Sequence, residues 1–275
     1  MTQISSPKQD RVEADELWVV VPAAGSGTRL PSACPKQYLE LKGRCLLQRA
    51  IDTLSLIPDV KGVVVVLAKD DTLWPKIPAS KNPLVMTTTG GASRAESVVA
   101  GLQIIRKHSS NDSAMVMVHD AARALTSVDD IVRLIDRVKL APEQGGLLAT
   151  KVQDTLKRAK VTTDSSDNQH AVIEATVSRD DLWQAQTPQM FRTNALLDCL
   201  MENQQAIATG DITDEACAME KSGFAPALVE ALHPNFKITH LRDFNMALAI
   251  MQQPELMGAD SKGELPGNAS VSAQT

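Results

Sequence analysis

The sequence predicts an α/β protein with a doubly wound, mainly parallel sheet of the Rossmann-like type. Three observations favour this fold class. Runs of β-branched residues, at 19–21 and 60–68, are typical of strands buried on both faces of a parallel sheet. Amphipathic stretches at helical spacing alternate with such runs, which is the pattern of right-handed βαβ units. Glycine-rich or charged segments follow three of the predicted strands, and ligands of such sheets bind at the carboxyl ends of the strands.

Each predicted element has a local signal. Pro22 ends the first strand because its nitrogen has no proton to donate to the ladder. Ser127 and Asp130 resemble a capping box. Thr213 and Gly223 match the N-cap and the end of a later helix. Apolar spacing predicts helices over 46–54, 95–105, 131–138, 193–206 and 243–251, and strands over 84–88, 114–118, 145–150, 227–230 and 236–239.

The chain divides into a lead, one domain and a tail. Residues 1–16 are polar and predict a flexible N-terminal lead without the apolar core of a signal peptide. Residues 17–252 are expected to form a single domain, and residues 253–275 a disordered tail. Residues 151–186 interrupt the alternation and predict a projecting β-hairpin arm. Because a lone hairpin is marginally stable in water, we expect this arm to pack against a second subunit, with a mobile surface hairpin as the alternative.

Composition restricts the classes of function. The net charge of −5 argues against a nucleic-acid-binding surface, so an anionic substrate must be held by a local cluster of Arg and Lys. No stretch has the roughly 18 consecutive apolar residues of a membrane span, and we expect no membrane partner. The four cysteines lack metal-binding spacing and predict reduced thiols in a cytoplasmic protein.

The segment after the first strand predicts a nucleotide triphosphate site. Its small residues allow backbone N–H groups to close around an anion, and Arg29 and Lys36 add positive charge. It is not a P-loop, because no Lys-Ser or Lys-Thr follows the second glycine, and Leu30 stands where a dinucleotide fingerprint needs a third glycine. A plain glycine-rich turn is the alternative, which the two cations disfavour. The predicted nucleotide-binding residues here are Ala23, Ala24, Gly25, Ser26, Gly27 and Thr28.

A second charged segment, from His119 to Arg123, follows the fourth predicted strand and should face the same crevice. Mg²⁺ takes one or two protein carboxylates and completes its shell with phosphate oxygens and water, so Asp120 is a candidate Mg²⁺ ligand. The alternative is an aspartate that caps the turn. We expect His119 to pack at the strand end.

The motifs AAGSGTRL, at 23–30, and PKQYLEL, at 35–41, resemble those of sugar-phosphate nucleotidylyltransferases. Within that group the chain is most similar to the 2-C-methyl-D-erythritol 4-phosphate cytidylyltransferase family, over about 19–249. The resemblance implies a nucleotide-diphospho-sugar transferase type of fold. It also implies transfer of CMP from CTP to 2-C-methyl-D-erythritol 4-phosphate, giving 4-diphosphocytidyl-2-C-methyl-D-erythritol and pyrophosphate, in the non-mevalonate isoprenoid precursor pathway. A ribitol 5-phosphate cytidylyltransferase, a non-catalytic nucleotide-binding module and, third, a dinucleotide oxidoreductase are the alternatives.

The resemblance also implies roles for individual residues. In the family, the segment GGASR with the following serine reads the pyrimidine base, which gives Gly91, Ala92 and Ser97 that role; a plain helix start capped by Ser93 is the alternative. Many members have an acidic residue at the position of Ala92. Asp120 and Ala121 are expected to contact the nucleotide.

The remaining roles concern catalysis and the sugar phosphate. By resemblance, Lys237 joins Arg29 and Lys36 as a catalytic cation. The arm is expected to clasp a partner in a homodimer, so its residues should act across the interface. Ala124 replaces a proline and Ser178 an acidic residue that are usual in the family. The residues expected to bind the sugar phosphate are Arg123, Thr155, Arg179, Thr187 and Thr213.

Overall fold

The computed structural model describes residues 16–25, 34–109, 111–164 and 168–253. Its centre is a seven-stranded sheet in the order β11-β7-β10-β6-β1-β4-β5. β10 runs antiparallel to both of its neighbours, and the other pairs are parallel. The strands of this sheet are β1 (Leu17–Pro22), β4 (Val60–Leu67), β5 (Val85–Thr89), β6 (Met115–Val118), β7 (Gly146–Lys151), β10 (Trp183–Arg192) and β11 (Ala227–Glu230).

The predicted mainly parallel sheet is confirmed, and its central strands are buried on both faces. Val19 and Val21 pack into one apolar cluster, and Trp18 and Val20 into another on the opposite face. All three valines have no exposed surface. The alternation of side chains along a strand therefore explains why the β-branched run has no polar face.

Helices cover both faces of the sheet. On one side lie α1 (Leu46–Ser55) and α3 (Val128–Lys139). On the other lie α2 (Arg94–His108), α4 (Thr193–Glu202) and α6 (Glu215–Lys221). A third, smaller cluster joins α7 (Leu241–Ile250) to a two-stranded hairpin of β2 (Glu40–Leu41) and β3 (Arg44–Cys45). Within the described part of the chain, no helix is long and apolar enough to cross a membrane.

The predicted arm is a separate antiparallel pair of β8 (Leu156–Thr163) and β9 (Gln169–Val177). Its residues are exposed or half-buried, and the side chains of Val161 and Ile173 are 69% and 65% exposed. The predicted arm boundary of 186 was wrong, because β10 begins at Trp183 and returns the chain to the central sheet. The first strand of the arm begins at Leu156, so residues 152–155 of the predicted arm precede it.

Four further predictions are corrected. The helix expected over 193–206 is two helices, because α4 ends at Glu202 and α5 (Gln204–Thr209) follows. The N-cap of α6 is Asp214 and not the neighbouring Thr213, because the carboxylate of Asp214 accepts from Cys217 N. Ser127 caps α3 by accepting from Asp129 N, but the Asp130 side chain turns away from the cap.

Asp130 is fully buried and accepts instead from the backbone nitrogens of Leu232 and His233, at 3.1 and 3.0 Å. The strand expected over 236–239 is irregular backbone. It is held to the loop after β6 by Ile238 N, which donates to Ala122 O at 2.9 Å. The predicted lead and tail lie outside the described residues, apart from Glu16 and Gln253 at their edges.

Candidate active site

A cavity of about 210 Å³ lies at the carboxyl ends of β1, β5 and β6. Three predicted segments meet there: the small-residue loop, the GGASR segment and the loop after β6. Lys36 and Asp120, on which the sequence interpretation depends, line the same cavity. The complete lining is Pro22, Ala23, Ala24, Gly25, Lys36, Gln37, Gly91, Ala92, Ser93, Arg94, Ser97, Asp120, Ala121, Ala122 and Lys237.

The described start of the small-residue loop is tied to the segment that carries Lys36. Ala23 N donates to Val66 O at 2.8 Å, which extends the β1–β4 pairing by one residue. Gln37, which is 4% exposed, donates its Nε2 to Ala23 O at 2.7 Å. Gln37 therefore fixes the backbone beside Lys36 against the loop. The predicted residues Ser26, Gly27, Thr28 and Arg29 lie outside the described part of the chain.

The GGASR segment approaches the first loop closely. A Cβ atom at Gly90 would lie only 2.6 Å from Ala24 Cβ and from Ser97 Oγ, so a glycine is needed there. Ser93 caps α2 by accepting from Glu96 N at 3.1 Å. Ser97 is 3% exposed and donates its hydroxyl to Ser93 O at 3.0 Å. Its two oxygen lone pairs remain available for a ligand in the cavity.

Asp120 is surrounded by cations. Its Oδ1 lies 3.2 Å from Arg94 Nε, and its Oδ2 lies 2.9 Å from Lys237 Nζ and 3.6 Å from Arg123 Nε. Burial alone would raise the pKa of Asp120, but Arg94, Lys237 and Arg123 outweigh it and hold the pKa far below its usual range. Asp120 is thus a permanent carboxylate at physiological pH.

Two members of this cluster were missed by the sequence interpretation. Arg94 binds Asp120 and also Glu215, which opens α6 and is 1% exposed. Burial lowers the pKa of Arg94, but Glu215 and Asp120 outweigh that and raise it. Burial raises the pKa of Glu215, and the contact with Arg94 opposes the rise. Arg94 could have been identified from the sequence, because it belongs to the GGASR segment. Glu215 could not, because it lies 121 residues away and no local pattern marks it.

Beneath Asp120 lies a buried polar layer. Asp120 N donates to Thr187 Oγ1 at 3.0 Å, and that hydroxyl lies 3.2 Å from His119 Nδ1. Burial lowers the pKa of His119 to about 4, so this imidazole is neutral at physiological pH. His119 is 1% exposed and does not line the cavity, which agrees with the expected packing role.

Asn235, also missed, joins this layer to the segment of Lys237. Its Nδ2 donates to Thr187 O at 2.9 Å, and its Oδ1 accepts from Thr126 Oγ1 at 2.6 Å. Its backbone oxygen accepts from Arg123 Nη1 at 2.6 Å. One buried amide therefore positions Lys237, two residues later, relative to β10 and the loop after β6.

The residues expected to bind the sugar phosphate are not brought together. Arg123 and Thr187 are buried around Asp120 and are absent from the lining of the cavity. Thr213 is exposed and lines a separate cavity of about 100 Å³ next to Glu215. Thr155 and Arg179 are exposed at the base of the arm, where Arg179 donates to Gln153 O.

The surroundings of Asp120, the candidate metal ligand, are suitable for Mg²⁺. Among the described residues, no three His, Cys, Asp or Glu side chains are grouped as a metal site. Asp120 is the carboxylate among the lining residues of the cavity. A single carboxylate beside a phosphate-sized space suits Mg²⁺, which keeps several waters and binds substrate phosphates directly.

The arrangement is suited to a polyphosphate. The walls of the cavity are small side chains and backbone, so anionic oxygens can approach closely. Lys36 and Lys237 reach the cavity from two different segments, and Asp120 lies next to Lys237. Such a site can neutralise and orient an anion.

A sequence profile of the 2-C-methyl-D-erythritol 4-phosphate cytidylyltransferases matches residues 17–253. The chain belongs to this family. A relative of that name from Pseudomonas putida is 42% identical over 227 residues, which are 82% of this chain and 92% of the relative. One from Ectopseudomonas mendocina is 43% identical over 229 residues, or 83% and 92% of the two chains.

Solved structures of the cytidylyltransferase family share the fold. A 4-diphosphocytidyl-2C-methyl-D-erythritol synthase superposes with a TM-score of 0.70 at 32% identity, covering 86% of this chain and 99% of that one. The 2-C-methyl-D-erythritol 4-phosphate cytidylyltransferase of Francisella tularensis gives a TM-score of 0.69 at 29% identity, covering 85% and 98%. The predicted family and fold class are therefore confirmed.

Proposed function

We propose that this chain transfers CMP from CTP to 2-C-methyl-D-erythritol 4-phosphate, forming 4-diphosphocytidyl-2-C-methyl-D-erythritol and pyrophosphate. Membership of the family supports the reaction. The structural observation that carries it is that Lys36, Asp120 and Lys237 line one small-walled cavity at the carboxyl end of the sheet. The alternatives of a ribitol phosphate substrate and of a non-catalytic module are not favoured by these similarities.

The proposed reaction is an in-line displacement at the α-phosphorus of CTP. An oxygen of the substrate phosphate forms the new P–O bond, and the bond to the β-phosphate breaks, so that pyrophosphate leaves with its electron pair. The attacking monoester is already largely ionised at neutral pH. Catalysis then consists of positioning the two phosphates and stabilising their charge.

The cations assigned to the reaction have distinct proposed roles. Lys36 stabilises the charge that develops around the α-phosphorus, and Arg29 acts with it on the leaving pyrophosphate. Lys237, held 2.9 Å from Asp120, lies where it can bind the incoming phosphate or the α-phosphate. Removing one such cationic donor typically costs at least about 100-fold in kcat.

The metal is proposed to be Mg²⁺, held by Asp120. When bound, it would neutralise phosphate oxygens and help to align the triphosphate.

The nucleotide is proposed to lie along the cavity. The loop residues from Ala23 to Thr28 surround the phosphates, and Gly91, Ala92 and Ser97 contact the base. Asp120 and Ala121 lie between the two groups. Ala92 can contribute only its backbone polar groups, because its side chain is a methyl group.

The arm is proposed to complete the sugar phosphate site in a homodimer. Thr155 and Arg179 are exposed on the arm, and the cavity of the same subunit is lined without them. A second subunit would use both of them, together with its own Arg123, Thr187 and Thr213. The four cysteines, all within the described residues, form no disulfide with one another, which is compatible with the proposed cytoplasmic location.

The experiment is a pyrophosphate-release assay with CTP and Mg²⁺. It is run with 2-C-methyl-D-erythritol 4-phosphate, with ribitol 5-phosphate and without an acceptor. Release with the first acceptor alone is the expected result. Release only with ribitol 5-phosphate would show that ribitol 5-phosphate is the acceptor substrate. CTP binding without any release would show that the chain is a non-catalytic nucleotide-binding module.

A further inference from the structure

A buried carboxylate lies behind the wall of the cavity. Glu215 is 1% exposed and does not line the cavity, but both of its oxygens are engaged by Arg94, which does. Arg94 Nη1 donates to Oε1 at 2.6 Å, and Nη2 donates to Oε2 at 3.1 Å. This two-pronged contact is the strongest arrangement between a guanidinium and a carboxylate.

The contact decides which donors of Arg94 reach Asp120. With both Nη groups occupied by Glu215, only Nε is directed at Asp120, and it donates to Oδ1 at 3.2 Å. The second oxygen of Asp120 is thereby kept clear of Arg94. It lies 2.9 Å from Lys237 Nζ and 3.6 Å from the more distant Arg123 Nε, so Lys237 is its nearest partner.

We propose that Glu215 is a positioning residue for the transfer reaction: by holding both Nη groups of Arg94, it reserves Oδ2 of Asp120 for Lys237. Glu215 acts through Arg94 and touches no reacting atom. The inference rests on the proposed function, because it assigns Lys237 to the phosphates.

Loss of the Glu215 charge has a definite consequence. Arg94, Arg123 and Lys237 bring three positive charges to this cluster, and Asp120 and Glu215 bring two negative ones. Without Glu215, the planar fork of Arg94 is free to take both oxygens of Asp120. Lys237, whose side chain is already 36% exposed, then loses its partner and its defined position. The cavity becomes more positive, so binding of a triphosphate is maintained while its alignment is lost.

The test compares Glu215→Gln with Glu220→Gln. Both variants remove one negative charge from α6, but Glu220 is exposed and does not line the cavity. For Glu215→Gln we expect kcat to fall by about 10- to 100-fold, with KM for CTP changed by less than about threefold. Calorimetric titration should still give one CTP per chain, which shows that the loss does not come from unfolded protein. Glu220→Gln should match the wild type in kcat.

Glu215→Asp provides a second variant if Glu215→Gln does not fold. It keeps the negative charge, but its side chain is one methylene shorter and cannot hold both Nη groups of Arg94, so the same selective loss of kcat is expected. Wild-type kcat in either variant, or an equal loss in Glu220→Gln, would overturn the positioning role. A wild-type enzyme that releases no pyrophosphate from CTP and 2-C-methyl-D-erythritol 4-phosphate would instead overturn the proposed function.

Discussion

The cavity and the arm both contain residues assigned to one reaction, but they are built in opposite ways. Around the cavity, Asp120 is almost fully buried and is held by Arg123 of its own segment and by contacts from three other segments of the chain. On the arm, Thr155 and Arg179 are exposed, and the strands they adjoin pair only with each other. The cavity can therefore organise its charges within one chain, whereas the role proposed for the arm requires a second subunit.

Substitution of Lys36 tests the cavity most directly. Lys36→Ala should lower kcat by about 100-fold or more, because a preorganised cation at the α-phosphorus is lost. The melting temperature should change little, since Lys36 lies on a short 3₁₀ turn at the edge of the fold. Pyrophosphate release and thermal unfolding measure the two effects. The exposed Lys69→Ala is the matched control, and near-wild-type turnover in Lys36→Ala would contradict the assigned role.

The arm is tested by combining two defects in one dimer. Arg179→Ala alone should lose most of its activity with the sugar phosphate. If the arm serves the partner's cavity, a mixed dimer of Lys36→Ala and Arg179→Ala has one intact site and keeps about half of the wild-type activity. Co-expression with two different tags isolates this dimer. An inactive mixed dimer would show that each arm serves its own subunit, and a monomeric protein would exclude the clasp.

The buried layer under the cavity should respond to pH. The pKa of His119 is about 4 in the folded protein and about 6.5 in the unfolded chain, so the unfolded state binds more protons between these values. Stability should therefore fall as the pH drops from about 6.5 to 4, by up to about 1.4 kcal/mol per pH unit from this group. Denaturant unfolding of the wild type and of His119→Gln measures it. Equal pH slopes in the two proteins would refute the assignment.

The smallest expected effect is that of a substitution at Thr187. This residue lies on β10, the strand that connects the arm to the cavity. Thr187→Val removes the acceptor of Asp120 N and should cost about 1–2 kcal/mol of stability, with a smaller loss of kcat than Lys36→Ala. Thr187→Ser keeps the hydroxyl and is the control. If valine and serine gave equal stability, the hydrogen bond would have no part in holding Asp120.

Local pattern predicted most of the fold and the parts of the site that follow a strand. The valine runs of β1 and β4 are informative because burial on both faces leaves no room for polar side chains. β10 was harder to detect, since its first residues are exposed beside the arm and its later ones buried in the sheet. The periodicity of a segment does not show which position that segment takes in the sheet.

The same limit applies to the site. Asp120 and Lys36 could be identified because each follows a motif with its own local chemistry. Glu215 and Asn235 could not, because their partners lie 121 and 48 residues away and are joined only by the folded chain. The departures Ala92, Ala124 and Ser178 leave the described cluster around Asp120 intact.

The path of β10 has a mechanical consequence. This single strand leaves the base of the arm at Trp183, beneath the ammonium of Lys151, and four residues later presents the hydroxyl that receives the amide of Asp120. No hinge loop separates the two points. The stretch that carries this hydroxyl is irregular, because the pairing with β7 shifts register between Ala185 and Gln189. A displacement at the base of the arm would therefore reach the floor of the cavity through one bulged strand.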